Sequence, residues 1–230
     1  MLEAPNDNGH PLARAFAAFI GAADFPCVGA KAAHNRDGMR FVAARDLGSA
    51  WDDLRILPAL LDLARRYRAQ PLLFQSLVVI FESGAPADER MFENLLWQRL
   101  NSLTAKDEWL GQQPDARVAH DPDEPHFAMS FGGEAFFVVG LHPRASRPAR
   151  RFSHPAIVFN LHDQFEQLRA AGRYDKLRET ISERDIRLAG SANPMLAPHG
   201  AISAARQYSG RAVEADWTCP FAGRARQDAA

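Results

Sequence analysis

EAFFVVGLH, residues 134–142, is the stretch that decides the fold class, because it is apolar, short and bounded by turn residues. Two similar segments flank it, HFAMSF at 126–131 and PAIVFNLH at 155–162. Strands that follow one another without regular helical crossovers pair as antiparallel neighbours. The sequence therefore predicts an α+β fold, with a mainly antiparallel central sheet and helices packed on it.

The remaining elements extend this fold in both directions along the chain. Residues 39–46 and 72–83 read as further strands, and the second is apolar on both faces, as a central strand is. Apolar residues at helical spacing predict helices at 11–22, 51–69, 88–107, 163–172 and 173–186. We expect one domain over residues 11–221, with flexible tails at 1–10 and 222–230.

Composition narrows the functional class. The chain has 230 residues, is 47% hydrophobic and carries a formal net charge of −1, so no overall field would draw it to nucleic acid or to an anionic membrane. It shows no secretory pattern and no apolar run of membrane-spanning length. Two cysteines make no disulfide framework. We expect a soluble cytoplasmic protein without nucleic-acid or membrane partners, and a homodimer is possible.

Both cysteines follow or precede proline. Cys27, in FPCVGAKAA at 25–33, sits two residues before a glycine that would let a flat cofactor approach the backbone. N–H groups at the start of a following helix would stabilise its thiolate. The alternative is a small buried apolar residue under a loop. For Cys219, in WTCPF at 217–221, we favour a structural role in a C-terminal segment that Trp217 and Phe221 pin into the core.

Three histidines are candidates for chemistry. His142 ends an apolar strand, where a side chain would reach the mouth of a pocket and could ligate a metal or transfer a proton. His162 begins a helix, where a role as a helix cap or in the core is at least as compatible with its position as a chemical role. His126 is expected at the surface. The spacing of histidines and cysteines does not match a structural zinc site.

A basic cluster follows His142 directly. Its guanidinium groups could hold carboxylates or phosphates in bidentate geometry, although a solvated basic loop is the alternative. RQYSGR, at 206–211, adds two arginines around a tyrosine hydroxyl. The arginines of the cluster are Arg144, Arg147, Arg150 and Arg151. Glycine-rich phosphate loops, dinucleotide fingerprints and nucleophile elbows are absent from the sequence, so these residues alone point to a pocket rimmed by arginine.

Several of these segments together resemble the YqcI/YcgG family. They occur in the same order and at similar spacing over most of the chain, from Phe25 to Phe221. The segments are FPCVGAKAA, GLHPRASRPARRF, FNLHDQFEQLR, SERDIRLAGSANPML and RQYSGR through WTCPF. Members of this family include heme-dependent N-hydroxylases that act on guanidino groups, such as that of arginine.

The resemblance implies a heme b cofactor and an external electron donor or peroxide. It implies a small cationic guanidino substrate, for which Glu82 and Asp185 are the candidate carboxylates. The candidate iron ligands are Cys27, His142 and His162, with Cys219 as a further option; thiolate-ligated heme suits this chemistry and raises Cys27 above the others. The candidate residues for binding the cofactor and its propionates are Arg147, Arg150, Arg151, Arg211 and Tyr208.

Two further interpretations stay open at this point. One is a heme-binding sensor or carrier without turnover, in which Cys27 or His142 together with His162 would fill both axial positions. The other is a structural protein that binds no heme. The sequence contains no flavin or iron–sulfur motif, so a reductant for the enzyme would have to be external.

Overall fold

A five-stranded mixed sheet forms the centre of the computed structural model, which describes residues 4–196 and 201–223. The strand order is β1-β2-β5-β4-β3; β1 and β2 are parallel, and the other three neighbouring pairs are antiparallel. The prediction of a mainly antiparallel α+β domain is therefore confirmed. The strands are β1 (Met39–Asp46), β2 (Ser76–Ser83), β3 (Met129–Phe131), β4 (Glu134–Leu141) and β5 (Ala156–Leu161).

The parallel pair arises from a helical crossover that the sequence analysis did not anticipate. Helix α3 connects β1 to β2 and returns the chain to the end of the sheet at which β1 begins. Strand β2 therefore runs in the same direction as β1. Antiparallel pairing then continues through β5, β4 and β3. The helices are α1 (Pro11–Gly21), α2 (Val28–Asn35), α3 (Asp53–Ala69), α4 (Glu89–Trp109), α5 (Asp163–Ala170), α6 (Tyr174–Ala189) and α7 (Ala205–Tyr208).

Helices cover both faces of the sheet, and each face carries a hydrophobic core cluster, the larger one under α3 and α4. Helices α3 and α4 bury their apolar sides against one face, where Leu60, Trp97 and Phe136 are almost fully excluded from solvent. The C-terminal segment joins this core, since Cys219 is buried and Phe221 packs near Trp97. On the opposite face, helices α1, α2, α5 and α6 surround a cavity.

The chain before α1 is bonded to the sheet. Asp7 donates its backbone N–H to Phe41 O at 3.0 Å, and its side chain accepts from Ala43 N at 2.8 Å. Asn8 accepts from Phe41 N at 3.1 Å. Residues 7 and 8 of the predicted tail 1–10 are therefore bonded to β1. Residues 1–3 and 224–230 of the two predicted tails lie outside the described residues.

Strand β2 begins later than its apolar pattern suggests, because the chain before it turns sharply. Phe74 has a φ of 65°, and Ser76 N donates to Gly38 O at 3.0 Å. A Cβ at Gly38 would lie 2.2 Å from Phe74 O, so this close approach requires glycine. The turn directs the Phe74 ring into the wall of the cavity. No helix among the described residues is both long enough and apolar enough to cross a bilayer.

Candidate functional site

A cavity of about 300 Å³, called the main chamber below, lies between the sheet and the helices that cover the face opposite α3 and α4. Its floor is formed by side chains of β1, β2, β4 and β5, and its walls by α1, α2, α5 and α6. Most of the lining is apolar, which is typical of cofactor and ligand sites. The apolar lining includes Phe16, Ile20, Phe25, Phe74, Val139, Leu141, Val158, Phe165, Leu168, Leu177 and Ile181.

A second cavity of about 240 Å³, called the side chamber, adjoins the main chamber. The two share part of their lining, so they lie side by side and touch the same side chains. The shared residues are Phe137, Phe165, Leu177, Ile181, Leu196 and Gln207. Two histidines, His126 and His162, line the side chamber together with Arg169 and Arg178.

Cys27 lies in the wall of the main chamber at the start of α2. It is the N-cap residue, and its Sγ accepts a hydrogen bond from Ala30 N at 3.4 Å, as the sequence analysis expected of a helix beginning there. Burial raises the pKa of the thiol, while the N–H groups of Ala30 and Gly29 and the charge of Arg150 oppose that rise. Burial outweighs these groups, so the fold favours the neutral thiol while it keeps donors and a positive charge beside the sulfur.

The fold has room for a Cβ at Gly29, beside this sulfur. A Cβ there would meet Cys27 Sγ at 3.8 Å and Phe74 at 4.0 Å, both ordinary contact distances. No clash within the fold therefore accounts for glycine at this position. The chain can offer a smooth backbone surface to a flat ligand that approaches Cys27.

Arg150 is half-buried and places its guanidinium in the same chamber. It donates to three backbone carbonyls, Gly140 O at 2.9 Å, Tyr208 O at 3.2 Å and Gln207 O at 3.0 Å. Among the described residues it makes no ion pair with a carboxylate. Burial lowers its pKa to about 10. Since neutral carbonyls do not compensate the charge, an anionic group on a ligand would be stabilised beside it.

Asp185 is the carboxylate that α6 contributes to the main chamber. It is buried and forms an ion pair with Arg147, which also donates to Ser191 O at 3.0 Å. Arg147 Nε is buried without a hydrogen-bond partner among the described residues. The structure therefore brings together four of the residues that the sequence analysis selected: Cys27, Arg147, Arg150 and Asp185.

His142 lies outside both chambers. It follows β4 on the α4 side of the sheet, is buried, and stacks on Phe92 with ring centroids 4.3 Å apart. Its Nδ1 has no hydrogen-bond partner within the described part of the chain. The expected position at a pocket mouth is wrong, because strand alternation turns this residue away from the cavity side, to which Leu141 points.

The environment of His142 predicts a pH effect on stability. Burial is the main cause that lowers its pKa from 6.5 to about 4, whereas in the unfolded chain it protonates near 6.5. Between pH 4 and pH 6.5 the unfolded state therefore binds more protons at this histidine than the folded state does. The contribution of His142 to the free energy of unfolding falls as the pH drops from about 6.5 to about 4. We expect the loss to be on the order of 3 kcal/mol. Urea denaturation of wild type and His142→Gln across this range measures the loss. If the free energy of unfolding changes with pH by the same slope in both proteins, the prediction is contradicted.

His162 lies at the start of α5 and lines the side chamber with His126. Both also face a neighbouring polar pocket of about 240 Å³ that contains Asp115, Arg117 and Asp163. His162 Nε2 is 3.9 Å from Glu166 Oε1. His126 is exposed, as expected, and it also lines the mouth of these pockets.

Other sequence candidates lie away from the cavity. Glu82 is half-exposed at the end of β2, six residues and about 20 Å along the strand from Ser76 in the chamber floor. Arg151 is exposed and donates to the carbonyls of its own loop, at Ala145 and Ser146. Neither side chain is among the residues that line the main chamber.

Three further candidates belong to the α4 side of the structure. Arg211 pairs with Glu93 at 2.8 Å and with Glu214 at 3.3 Å. Tyr208 is fully buried and donates to Phe136 O at 3.4 Å, and burial raises the pKa of its hydroxyl. Cys219 is in the core, where the sequence analysis preferred to place it. The segment's arginines and tyrosine therefore serve the fold.

Some lining residues were not singled out from the sequence. Asn160 is a polar residue on the cavity face of the otherwise apolar β5; its side chain bonds Ser76 Oγ at 2.8 Å. A polar residue inside an apolar strand is a signal that could have marked the floor of a site. Arg178 gave no such signal, because charged residues are common on exposed helices.

The lining fits a heme group in three respects. Its walls are apolar, Cys27 offers one sulfur donor beside an open backbone surface, and Arg147 and Arg150 offer cations for propionates. Within residues 4–196 and 201–223, no group of three or more His, Cys, Asp or Glu side chains is placed to hold a metal ion.

Comparison with known proteins gives one family and one curated relative. The sequence model of the YqcI/YcgG family matches residues 16–222. "Uncharacterized protein YqcI" of Bacillus subtilis (strain 168) is 29% identical over 151 residues, which cover 63% of this chain and 57% of that protein. The chain thus spans somewhat more than half the length of that relative. No solved structure gives a significant match.

Proposed function

The chain belongs to the YqcI/YcgG family, and on that premise we propose that it is a heme-dependent oxygenase that hydroxylates a guanidine nitrogen of arginine or a related guanidino compound. The proposal is carried by the apolar main chamber. Its wall contains the sulfur of Cys27, which caps the N-terminus of α2, and the guanidinium of Arg150, which pairs with no carboxylate among the described residues. The proposal places the protein in the cytoplasm, where thiols stay reduced.

Each lining group has a distinct role in this proposal. Cys27 would ligate the iron, and the N–H of Ala30 would stabilise its thiolate. Arg150 and Arg147 would hold the propionates. Asp185 would bind the cationic end of the substrate through the oxygen that Arg147 leaves unoccupied. The apolar walls would exclude water from the reacting nitrogen.

The cofactor would supply the oxidising chemistry: when bound, heme activates dioxygen or peroxide and provides the oxygen atom for transfer. With dioxygen, two electrons from an external donor and two protons are consumed, and the products are one N-hydroxyguanidine and one water. The residues of this chain contribute binding, orientation and exclusion of solvent.

Titration of the purified protein with hemin, followed by arginine and a reductant or peroxide, tests the proposal. We expect stoichiometric hemin uptake, a spectral shift on adding the guanidino compound, and N-hydroxyguanidine detectable by mass spectrometry. A protein that takes up no hemin would refute the proposed function. Hemin uptake with both axial positions filled and no response to any guanidino compound would instead indicate a sensor or carrier.

A further inference from the structure

Helix α6 exposes opposite charges to the two chambers on one face. The α6 residues that line the two chambers recur at helical spacing, at positions 174, 177, 178, 181, 182 and 185. Asp185 lines only the main chamber, Arg178 lines only the side chamber, and Leu177 and Ile181 line both. A carboxylate and a guanidinium thus lie on the same helix face with an apolar segment between them.

The separation of these charges is set by helix geometry. Arg178 and Asp185 are seven residues apart, close to two full turns, so their Cα atoms are about 10 Å apart along the axis. The side chains of Arg178 and Asp185 can place their charged groups several ångströms closer together or farther apart than their Cα atoms. A ligand that spans the pair must therefore be an extended chain with a cation at one end and an anion at the other.

Arg178 is available for such a ligand. Within residues 4–196 and 201–223 it makes no hydrogen bond or ion pair. Arg169, the other arginine of the side chamber, is partly compensated: it pairs with Glu166, and its guanidinium lies 4.2 Å from the centre of the Tyr174 ring. No Asp or Glu is among the described residues that line the side chamber. An anion is therefore the ligand group that this chamber stabilises best.

We propose that Arg178 is a specificity-determining residue that binds the carboxylate of the substrate in the side chamber, while Asp185 holds the guanidinium in the main chamber. The ligand class is then a guanidino acid with an aliphatic chain, which packs on Leu177 and Ile181. This inference rests on the proposed function, since it concerns the substrate of that same site. It predicts that the carboxylate, and not the guanidinium alone, is recognised.

Isothermal titration of the hemin-loaded protein with L-arginine and L-argininamide tests the inference. The two ligands differ only in the carboxylate, which the amide replaces with a neutral group. We expect wild type to prefer arginine by about ten- to a hundredfold, the range of a charge-assisted hydrogen bond. Arg178→Gln should abolish that preference and leave the affinity for argininamide unchanged. The matched control is Arg187→Gln, since Arg187 is exposed on the same helix and lines neither chamber.

The outcomes separate the two proposals. Equal binding of arginine and argininamide to wild type would overturn the role of Arg178 and leave the proposed function standing. An equal loss of both ligands in Arg178→Gln would also overturn it, because a carboxylate contact affects only arginine. If wild type binds neither ligand, the proposed guanidino substrate is wrong and the inference falls with it.

Discussion

Cys27→Ser is expected to abolish the thiolate signature of the heme protein while leaving the fold intact. A hydroxyl caps a helix N-terminus at least as well as a thiol, so α2 should keep its first turn and stability should change by less than about 1 kcal/mol. In the proposed heme complex, however, the substitution removes the sulfur that would donate electron density to iron. In the wild type, the ferrous–CO complex should give a Soret band at the thiolate position; in the variant this band should be shifted or absent.

The matched control for this experiment is the histidine on the other face of the sheet. His142→Gln should retain the thiolate band, because His142 is buried against Phe92 and lines neither chamber. A wild-type band at the imidazole position that only the His142 variant removes would contradict the assignment of Cys27. Circular dichroism of both variants would separate loss of the ligand from loss of the fold.

The fold was largely predictable because its strands carry strong local signals. The apolar segments at 134–142 and 155–162 both became strands, and 39–46 matched β1 in its bounds. The crossover through α3 was missed, because strand direction depends on where a connecting helix packs and not on the strand's own residues. Residues 205–208, which form α7, are too few to give a periodic pattern.

The site was less predictable, because it is assembled from distant segments. Cys27 and Arg150 come together only when α2 and the loop after β4 pack over the same sheet face. His142 and Arg150 are eight residues apart in sequence, yet His142 packs on Phe92 of the α4-side core while Arg150 lines the cavity. The register of a strand decides which face its terminal residue occupies. A shift of one residue moves that side chain to the opposite face.

The second large effect is expected for Asp185→Asn, which removes the negative charge from the main chamber. Asparagine keeps an oxygen that can accept from Arg147, but the buried pair loses its attraction, which costs at most about 3–5 kcal/mol of stability. A guanidinium ligand loses its counter-charge in a site that retains Arg147 and Arg150. We therefore expect arginine to bind about a hundredfold more weakly, as measured by calorimetry at a temperature where the variant is folded.

The ratio of the affinities for arginine and citrulline separates loss of charge recognition from general damage to the protein, because damage weakens both ligands. Citrulline carries a neutral urea group in place of the guanidinium. Wild type should prefer arginine over citrulline, and Asp185→Asn should lose or reverse that preference, since the remaining arginines repel a cation. Glu82→Gln is the control: this carboxylate is half-exposed at the far end of β2, so its removal should leave the ratio unchanged. A preserved ratio in Asp185→Asn would show that another group recognises the cation, whereas a lost ratio in Glu82→Gln would place the substrate at the opposite end of the sheet.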